Sequence, residues 1–596
     1  MAEPGGSGSE HARPQSYAGT AAAAAPSSRP QRPRTLHAFL SFPSASSLPL
    51  AAPAADDGSY AWRAAAHGAS PLERSLDALG MGRYQWALLG LAGCGWAADN
   101  MWLQAVAIVL PRLQDEFGVG PASVGFASSA TFAGMMLGAL AWGAFSDAYG
   151  RRPAFNLTLA LCTLFGFCAT LAPSFFVLCC TLFLLGTAVG GSMPTDGTLF
   201  LENVPQRRRY LLTALSVFFA AGAVLASALA WAILPRFSCP REGVCGSGEN
   251  RGWRYLLFCL SSLTALFMLL RLVLFRLYES PKYLVEAGRA EEAVVVLRRI
   301  AAYNGTTGMR LSLADVQSGP DTARQEGSGT YTALPREDAG TTAQPQVSQQ
   351  AQSNATFLAV LPPSLSRALE PLAQRYGELL QPEWRRTTLL VWTTWTLFSL
   401  AFTSFNVYLS TTLEAKLGKG AEVYLDYTAY ALAALPGALI GARLIETRLG
   451  RIGTMWSSTL VVAVALLAFA GVSSRAGILA SSCLLSLSAS VAYAALYAYA
   501  PEVFDTRQRA TAVATASALS RLAGMLAPPL AGRLLAWRGR RAPLVAAHVV
   551  FVLCAACMAA LRRETRDTGE GRAEDEEEEE GLLEEEQTRR QSSAES

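Results

Sequence analysis

The chain has 596 residues, of which 51% are hydrophobic and only 16% charged, and its formal net charge is +3. That balance argues against a string of soluble domains, and the absence of a basic patch with interleaved aromatics excludes a nucleic-acid partner. Most cysteines lie inside apolar runs, where they read as small hydrophobic filler, and four scattered histidines offer no Cys/His spacing for a metal.

Residues 1–80 are rich in Ala, Pro, Ser, Gly and Arg without periodicity and are expected to form a disordered tail. A helix that crosses a bilayer takes about 20 mostly apolar residues. Within 81–276 there are six such runs: 84–110, 123–143, 154–172, 176–200, 210–234 and 253–275. Residues 277–385 are polar, with helical periodicity near the start and a Gly/Ser/Thr/Gln-rich middle expected to be disordered. Six more runs fill 386–563: 386–410, 425–446, 453–473, 476–499, 511–535 and 542–561. Residues 564–596 form an acidic tail, also expected to be disordered; in it Glu578 with Leu582 and Leu583 has the form of a sorting signal.

An even number of spans puts both termini on one side. Arg151, Arg152, Arg207–Arg209, Arg448, Arg451, Arg507 and Arg509 fall on alternate loops and place that side in the cytoplasm, with the loop around Arg540 as the exception. On this topology the sequons at Asn304 and Asn354 are cytoplasmic and unmodified. Cys239 and Cys245 share a short loop on the opposite side, where a disulfide persists if it forms. The halves echo each other: Gly150-Arg151 and Gly450-Arg451 lie three hundred residues apart, as do Glu202 with Arg209 and Glu502 with Arg509. Two matched loops with one shared offset indicate an internal duplication.

The stretch GAFSDAYGRRP (143–153) resembles the signature loop of the major facilitator superfamily. Further stretches, ADNMWLQAVAIVLP, GGSMPTDGTLFLE, YESPKYLVEAGR and YAPEVFDTRQRATA, resemble the branch that holds synaptic-vesicle-2-related proteins and sugar porters, its fungal members above all. The resemblance implies an all-α integral membrane protein of twelve transmembrane helices in two pseudo-symmetric six-helix bundles. It also implies a secondary transporter that works by alternating access. Acid–arginine pairs at the cytoplasmic helix ends would latch the closed inner face: Asp147, Arg151, Glu202 and Arg209 in one half, Glu446, Arg451, Glu502 and Arg509 in the other. Sugar-porter relatives bind substrate with the seventh and tenth spans.

Ionisable groups inside a membrane are costly and mark functional positions. In the first span Trp96, Asn100 and Gln104 recur every four residues, on one helical face, with Asp99 on its flank. Asp99 is read either as a proton carrier or as a paired structural carboxylate. Arg521, deep in the eleventh span, is its natural partner or a contact for an anionic solute. Asp196, late in the fourth span, is assigned to the latch. Trp395, Ser399, Phe402 and Asn406 stripe the seventh span, and Tyr493 and Tyr497 the tenth.

No phosphate-cradling loop or other enzyme motif is present, so transport is expected to be facilitated or driven by an ion gradient, without cofactor. The expected partners are the lipid bilayer, a small solute (sugar, organic acid or organic cation) and a proton, with the chain acting as a monomer in the plasma membrane or a vacuolar or endosomal membrane. Two other readings stay open: a facilitated-diffusion carrier, and a non-transporting sensor or vesicle protein on the same fold.

Overall fold

A computed structural model describes residues 71–209, 211–239, 250–275, 277–306, 311–313, 316, 375–418, 420–504 and 506–565. All of them belong to one compact unit, Gly68–Ser596, and Met1–His67 lies outside the described residues. Most of the acidic tail and most of the central loop are likewise outside.

The described segments are helices joined by turns. The first half contains α2 (Arg83–Phe117), α3 (Phe126–Tyr149), α4 (Arg151–Thr170), α5 (Phe175–Glu202), α6 (Leu211–Phe237) and α7 (Gly252–Leu269). A short helical turn, Pro121–Val124, leads into α3, and α7 ends in a π turn, Leu270–Leu274. α1 (Pro71–Leu79), α8 (Pro281–Glu286) and α9 (Ala290–Asn304) lie beyond the bundle ends. The second half contains α10 (Pro382–Val407), which breaks at Tyr408 and resumes as α11 (Leu409–Leu417), and α12 (Ala421–Leu444). It is completed by α13 (Gly450–Gly471), α14 (Arg475–Val503), α15 (Thr506–Arg538) and α16 (Arg541–Ala559).

Twelve long helices therefore occupy the twelve expected runs, in two halves of six. Among the described residues ten are long and apolar enough to cross a membrane by composition. The two that fall short are α2 and α15, which carry the polar residues Asp99, Asn100, Gln104, Arg112 and Arg521. The duplication extends to packing. α2 on α6, α3 on α5, α4 on α5 and α4 on α7 in the first half correspond to α10 on α15, α12 on α14, α13 on α14 and α13 on α16 in the second.

Small residues set the closest of these approaches. A Cβ added to Gly134 or Gly138 of α3 would stand 2.0 Å from the carbonyl oxygen of Phe183 or Thr187 in α5. One added to Gly186 or Gly190 of α5 would reach the Thr131 or Met135 carbonyl at 2.2 Å. The backbones thus meet through reciprocal glycine pairs, which no larger residue permits. Between the halves, α3 packs on α15 and α6 on α12, while α2 meets α10 and α11.

The molecule has two ends. One, here the latch face, holds the α3–α4 and α12–α13 turns together with α1, α8 and α9; the other is the far face. The tail expected to be disordered up to residue 80 contributes α1, whose Leu72, Leu76 and Leu79 are buried against the first half. Burial of each leucine is worth about 1.5–3 kcal/mol, enough to hold a short helix that would not form alone. Arg209 reaches Glu73 of α1 at 3.2 Å, and the Asp77 carboxylate accepts from the Gln206 amide at 2.8 Å.

Candidate functional site

The latch face carries two copies of one constellation. Arg151, at the start of α4, donates through Nε to both carboxylate oxygens of Glu202 at 3.3 Å and also binds Asp147. Arg451, at the start of α13, donates to Glu502 at 2.5 and 3.2 Å and lies 3.7 Å from Glu446. Each pair ties the beginning of one helix to the end of another in its own half. The preceding glycines have positive φ, +106° at Gly150 and +63° at Gly450, which relieves them of the Cβ clash.

A third acid in each half escaped the sequence reading. The Glu279 carboxylate accepts from the Arg151 and Arg152 amides at 2.8 and 3.1 Å, and Glu564 accepts from the Arg451 and Ile452 amides at 2.9 and 3.0 Å. Each caps a helix N-terminus, where orphan N–H groups and the helix dipole favour an anion. Their positions beyond the last span of each half were the available signal.

Arg209 and Arg509 do not join the latch. Arg209 is committed to α1, and Arg509 donates to the Phe504 carbonyl at 3.3 Å. Asp196 does not join it either. It is fully buried, pairing at 2.6 Å with Arg271 of the π turn, a residue overlooked because it sits where an arginine ordinarily snorkels out of a span. Arg271 also donates to the Phe155 and Leu91 carbonyls at 2.6 and 3.1 Å. This pair fastens α5 to α7 within the first half.

Deeper in the bundle the polar stripes meet. Asp99 is buried and accepts a hydrogen bond from Ser192 of α5. The Asn100 amide donates to the Phe219 carbonyl at 2.7 Å and Gln104 donates back to Asn100 at 3.5 Å. The Gln104 carbonyl oxygen then accepts across the halves, from Asn406 at 3.2 Å and from the Tyr427 hydroxyl at 2.8 Å, and Tyr430 donates to Asn406 at 3.2 Å. The structure thus joins the expected Gln104 and Asn406 and adds Tyr427 and Tyr430 of α12. Their spacing of three on an apolar helix was the unread sign.

Trp395 stands edge-on to Tyr497 at 4.8 Å, and Tyr493 packs on Phe398 and Phe402 at 4.6 and 5.4 Å. The Trp395 indole nitrogen is buried without a partner. Arg521 donates to Ser517 of its own helix at 2.9 Å and lies within electrostatic reach of Tyr497 and Asp99. It forms no ion pair with Asp99: among the described residues no carboxylate lies within pairing distance of Arg521. The direct Asp99–Arg521 bridge considered from the sequence is absent.

Towards the far face the halves are bound more strongly. Arg112 of α2 is buried and pairs with Glu414 of α11, with Tyr424 OH accepting from Arg112 at 3.2 Å and donating to Glu414 at 3.1 Å. Ser410 donates to the Ala107 carbonyl at 2.8 Å, Tyr408 to Pro121 at 2.9 Å and Ser129 to Met525 at 2.8 Å. Among the described residues, every hydrogen bond between the halves lies on the far-face side of Asp99. On the latch-face side Tyr497 is 56% exposed although it stands among the inner aromatics, so the opening between the halves reaches it. Arg112 and Glu414 were passed over as span boundaries, since an isolated charge at the edge of an apolar run ordinarily faces water. Also at the far face, Arg540 donates to the Ala415 carbonyl at 3.2 Å, capping α11, and Cys239 is disulfide-bonded. Cys245 lies outside the described residues.

The chain matches the Major Facilitator Superfamily over residues 87–425 and 391–593. It is 32% identical over 471 residues to an uncharacterized MFS-type transporter of Schizosaccharomyces pombe, covering 78% of this chain and 82% of the relative. It is 28% identical over 491 residues to the synaptic vesicle 2-related protein of Bos taurus, covering 77% and 75%. Among solved structures it resembles the partially occluded inward open conformation of the xylose transporter XylE from E. coli, with a TM-score of 0.58 and 17% identity over 81% of this chain and 98% of that one.

Proposed function

This chain belongs to the Major Facilitator Superfamily, and on that footing we propose that it carries a small organic solute across its membrane by alternating access, coupled to a proton held on Asp99. The observation that carries the reading is the distribution of contacts between the halves. They are hydrogen-bonded on the far-face side of Asp99, at Gln104–Asn406 and Arg112–Glu414, and open on the latch-face side at Tyr497. A pair of rigid bundles joined in this way has a second state available to it, in which the far-face bonds break and the latch face closes.

Arg521 and Trp395 favour an organic acid over a sugar or an organic cation. Both present donors without an acid partner among the described residues, and a guanidinium deep in a membrane protein calls for an anion. Asp99 would carry the proton that accompanies the solute, with Ser192 donating to it when it is ionised. We place the latch face in the cytoplasm, with both termini, on two grounds: the arginine-rich loops gather there, and the disulfide at Cys239 lies on the opposite, oxidising side. The domain division into two six-helix bundles, a central cytoplasmic segment and two tails belongs to the same proposal, as does the monomeric state.

The test is uptake into proteoliposomes that hold the purified protein, with and without an imposed pH gradient, across a panel of organic acids, sugars and cations. Accumulation of a carboxylate that needs the gradient and vanishes in Asp99→Asn is the expected result. Equilibration that ignores the gradient would make the protein a facilitator and Asp99 structural. Binding of a cytoplasmic partner without flux of any solute would favour the sensor reading.

A further inference from the structure

On the latch face a cleft of about 380 Å³ opens between the start of α4 and the face of α9; the capping acid Glu279 lines it, but Arg151 and Glu202 do not. α4 supplies Arg152 and Asn156, four residues apart on one face, and α9 supplies Glu292, Val296 and Arg299 along one of its own. The charges do not cancel. Glu292 is taken by Arg289 through two hydrogen bonds of 2.7 Å, and the Arg289 guanidinium holds that carboxyl below its usual range. Glu279 is bound by the Arg151, Arg152 and Ser280 amides, which leave its charge in place, so the lining holds three arginines (Arg152, Arg289, Arg299) against two carboxylates (Glu279, Glu292), a net charge of +1. Arg152 and Arg299 remain; among the described residues neither has an ion-pair partner, and Arg299 only lies 6.0 Å over the Tyr278 ring. Asn156 adds a buried side-chain oxygen with no hydrogen-bond donor.

We propose that this cleft binds a phosphate ester bearing a free hydroxyl, clamped between Arg152 and Arg299. Two guanidinium forks on opposite walls suit a tetrahedral anion with several oxygens, whereas one fork satisfies a planar carboxylate. The orphan Asn156 oxygen supplies the acceptor that a ligand hydroxyl needs. The cleft is larger than a bare inorganic ion fills, which leaves room for the esterified alcohol. Because Glu279 caps the helix whose first residues are Arg151 and Arg152, an occupant that draws α9 onto α4 also fixes the first-half latch. The same chemistry is offered by a soluble sugar or polyol phosphate and by the headgroup of a phosphoinositide in the adjoining leaflet. The proposal is independent of what the protein carries.

Full-length protein in phosphatidylcholine nanodiscs, titrated with glycerol 3-phosphate, tests the soluble source. The same protein in nanodiscs doped with a phosphatidylinositol phosphate tests the lipid source. A rise in unfolding midpoint is expected in at least one arm, since a ligand that binds only the folded state stabilises it. Arg299→Gln should weaken that response about tenfold and Arg152→Gln/Arg299→Gln about a hundredfold. Both variants should keep the wild-type midpoint without ligand, because neither arginine holds an acid. A response confined to glycerol 3-phosphate assigns the cleft to a metabolite, and one confined to doped nanodiscs assigns it to the membrane; both support the site. No response in either arm, or an equal response in wild type and Arg299→Gln, overturns it.

Discussion

The two faces of this protein are fastened on different principles. On the latch face two near-copies of one device, Arg151–Glu202 and Arg451–Glu502, each with its capping acid, lie wholly within their own halves. On the far face the charged cluster Arg112–Glu414–Tyr424 crosses between the halves, beside the Ser410–Ala107 and Tyr408–Pro121 bonds, and no second cluster of this kind occurs among the described residues. The duplication does extend to helix packing between the halves, where α3 on α15 corresponds to α12 on α6, but the polar side chains that cross there are not repeated among the described residues. The latches therefore set the shape of each bundle, and the asymmetric far-face cluster sets the balance between states.

The largest effect should come from breaking the far-face cluster at one member. Glu414→Gln removes the buried countercharge of Arg112 and leaves it only Asp115, 3.1 Å away and partly exposed, which costs about 3 kcal/mol in the state seen here, the low end for breaking a buried pair. None of that cost falls on a state in which the halves have parted and water reaches Arg112. The far face should open, and a cysteine placed at Ala415 should become reactive towards an impermeant thiol reagent added from that side. Replacing both partners, as Arg112→Met/Glu414→Met, should recover much of the closed population. Unchanged labelling in Glu414→Gln would mean that the cluster is mere packing.

The two latches should differ from each other by less. Glu202 has 10% of its side chain exposed and Glu502 39%, so the first-half pair is the better shielded. Glu202→Gln should lower stability by about 1.5–3 kcal/mol, as expected for hydrogen bonds to a charged group, and Glu502→Gln by no more than about 1 kcal/mol. Thermal unfolding of the two purified variants side by side measures the gap. Equal losses would show that the duplication preserved energy as well as geometry.

A smaller effect distinguishes the turns. A Cβ on Gly150 would meet the Glu279 carboxylate at 2.5 Å, and one on Gly450 would meet that of Glu564 at 2.7 Å. Both carboxylates end flexible side chains and would move aside, so the cost is backbone strain plus a weakened cap, about 1–2 kcal/mol for each Gly→Ala. Gly150, with φ of +106°, is the further from a conformation that alanine tolerates and should lose more. The unfolding midpoints of Gly150→Ala and Gly450→Ala decide the order.

The twelve helices and the latch arginines were legible in the sequence because apolar length and charge at helix ends are local signals. Gln104 and Asn406 were legible singly, as polar residues on apolar faces, but their meeting depends on how α2 and α10 pack across the halves. Arg112, Glu414 and Arg271 were not legible. Each sits near the end of an apolar run, where a charge in water and a charge buried against a partner look the same. Glu279 and Glu564 were hidden by distance along the chain, since a cap supplied from over a hundred residues away leaves no local pattern. α1 was hidden by composition: a short amphipathic helix after a long low-complexity tail reads as more tail, and only the apolar underside of the first half gives its leucines somewhere to go.

The smallest predicted effect tests where the latch ends. Arg209 matches Arg509 in the duplication, yet in the structure it binds Glu73 of α1 with 43% of its side chain exposed. A pair so exposed contributes less than about 1 kcal/mol, and the buried leucines of α1 hold that helix without it. Arg209→Gln should therefore leave both the unfolding midpoint and the proteoliposome uptake rate close to wild type. Uptake should fall clearly only in Glu202→Gln, measured alongside it. If Arg209→Gln instead slows uptake as much as Glu202→Gln while the midpoint stays put, Arg209 must change partners when the latch face closes. The latch would then be built in that state from the residues the duplication pairs, and α1 would act as a holding site that Arg209 leaves during the cycle.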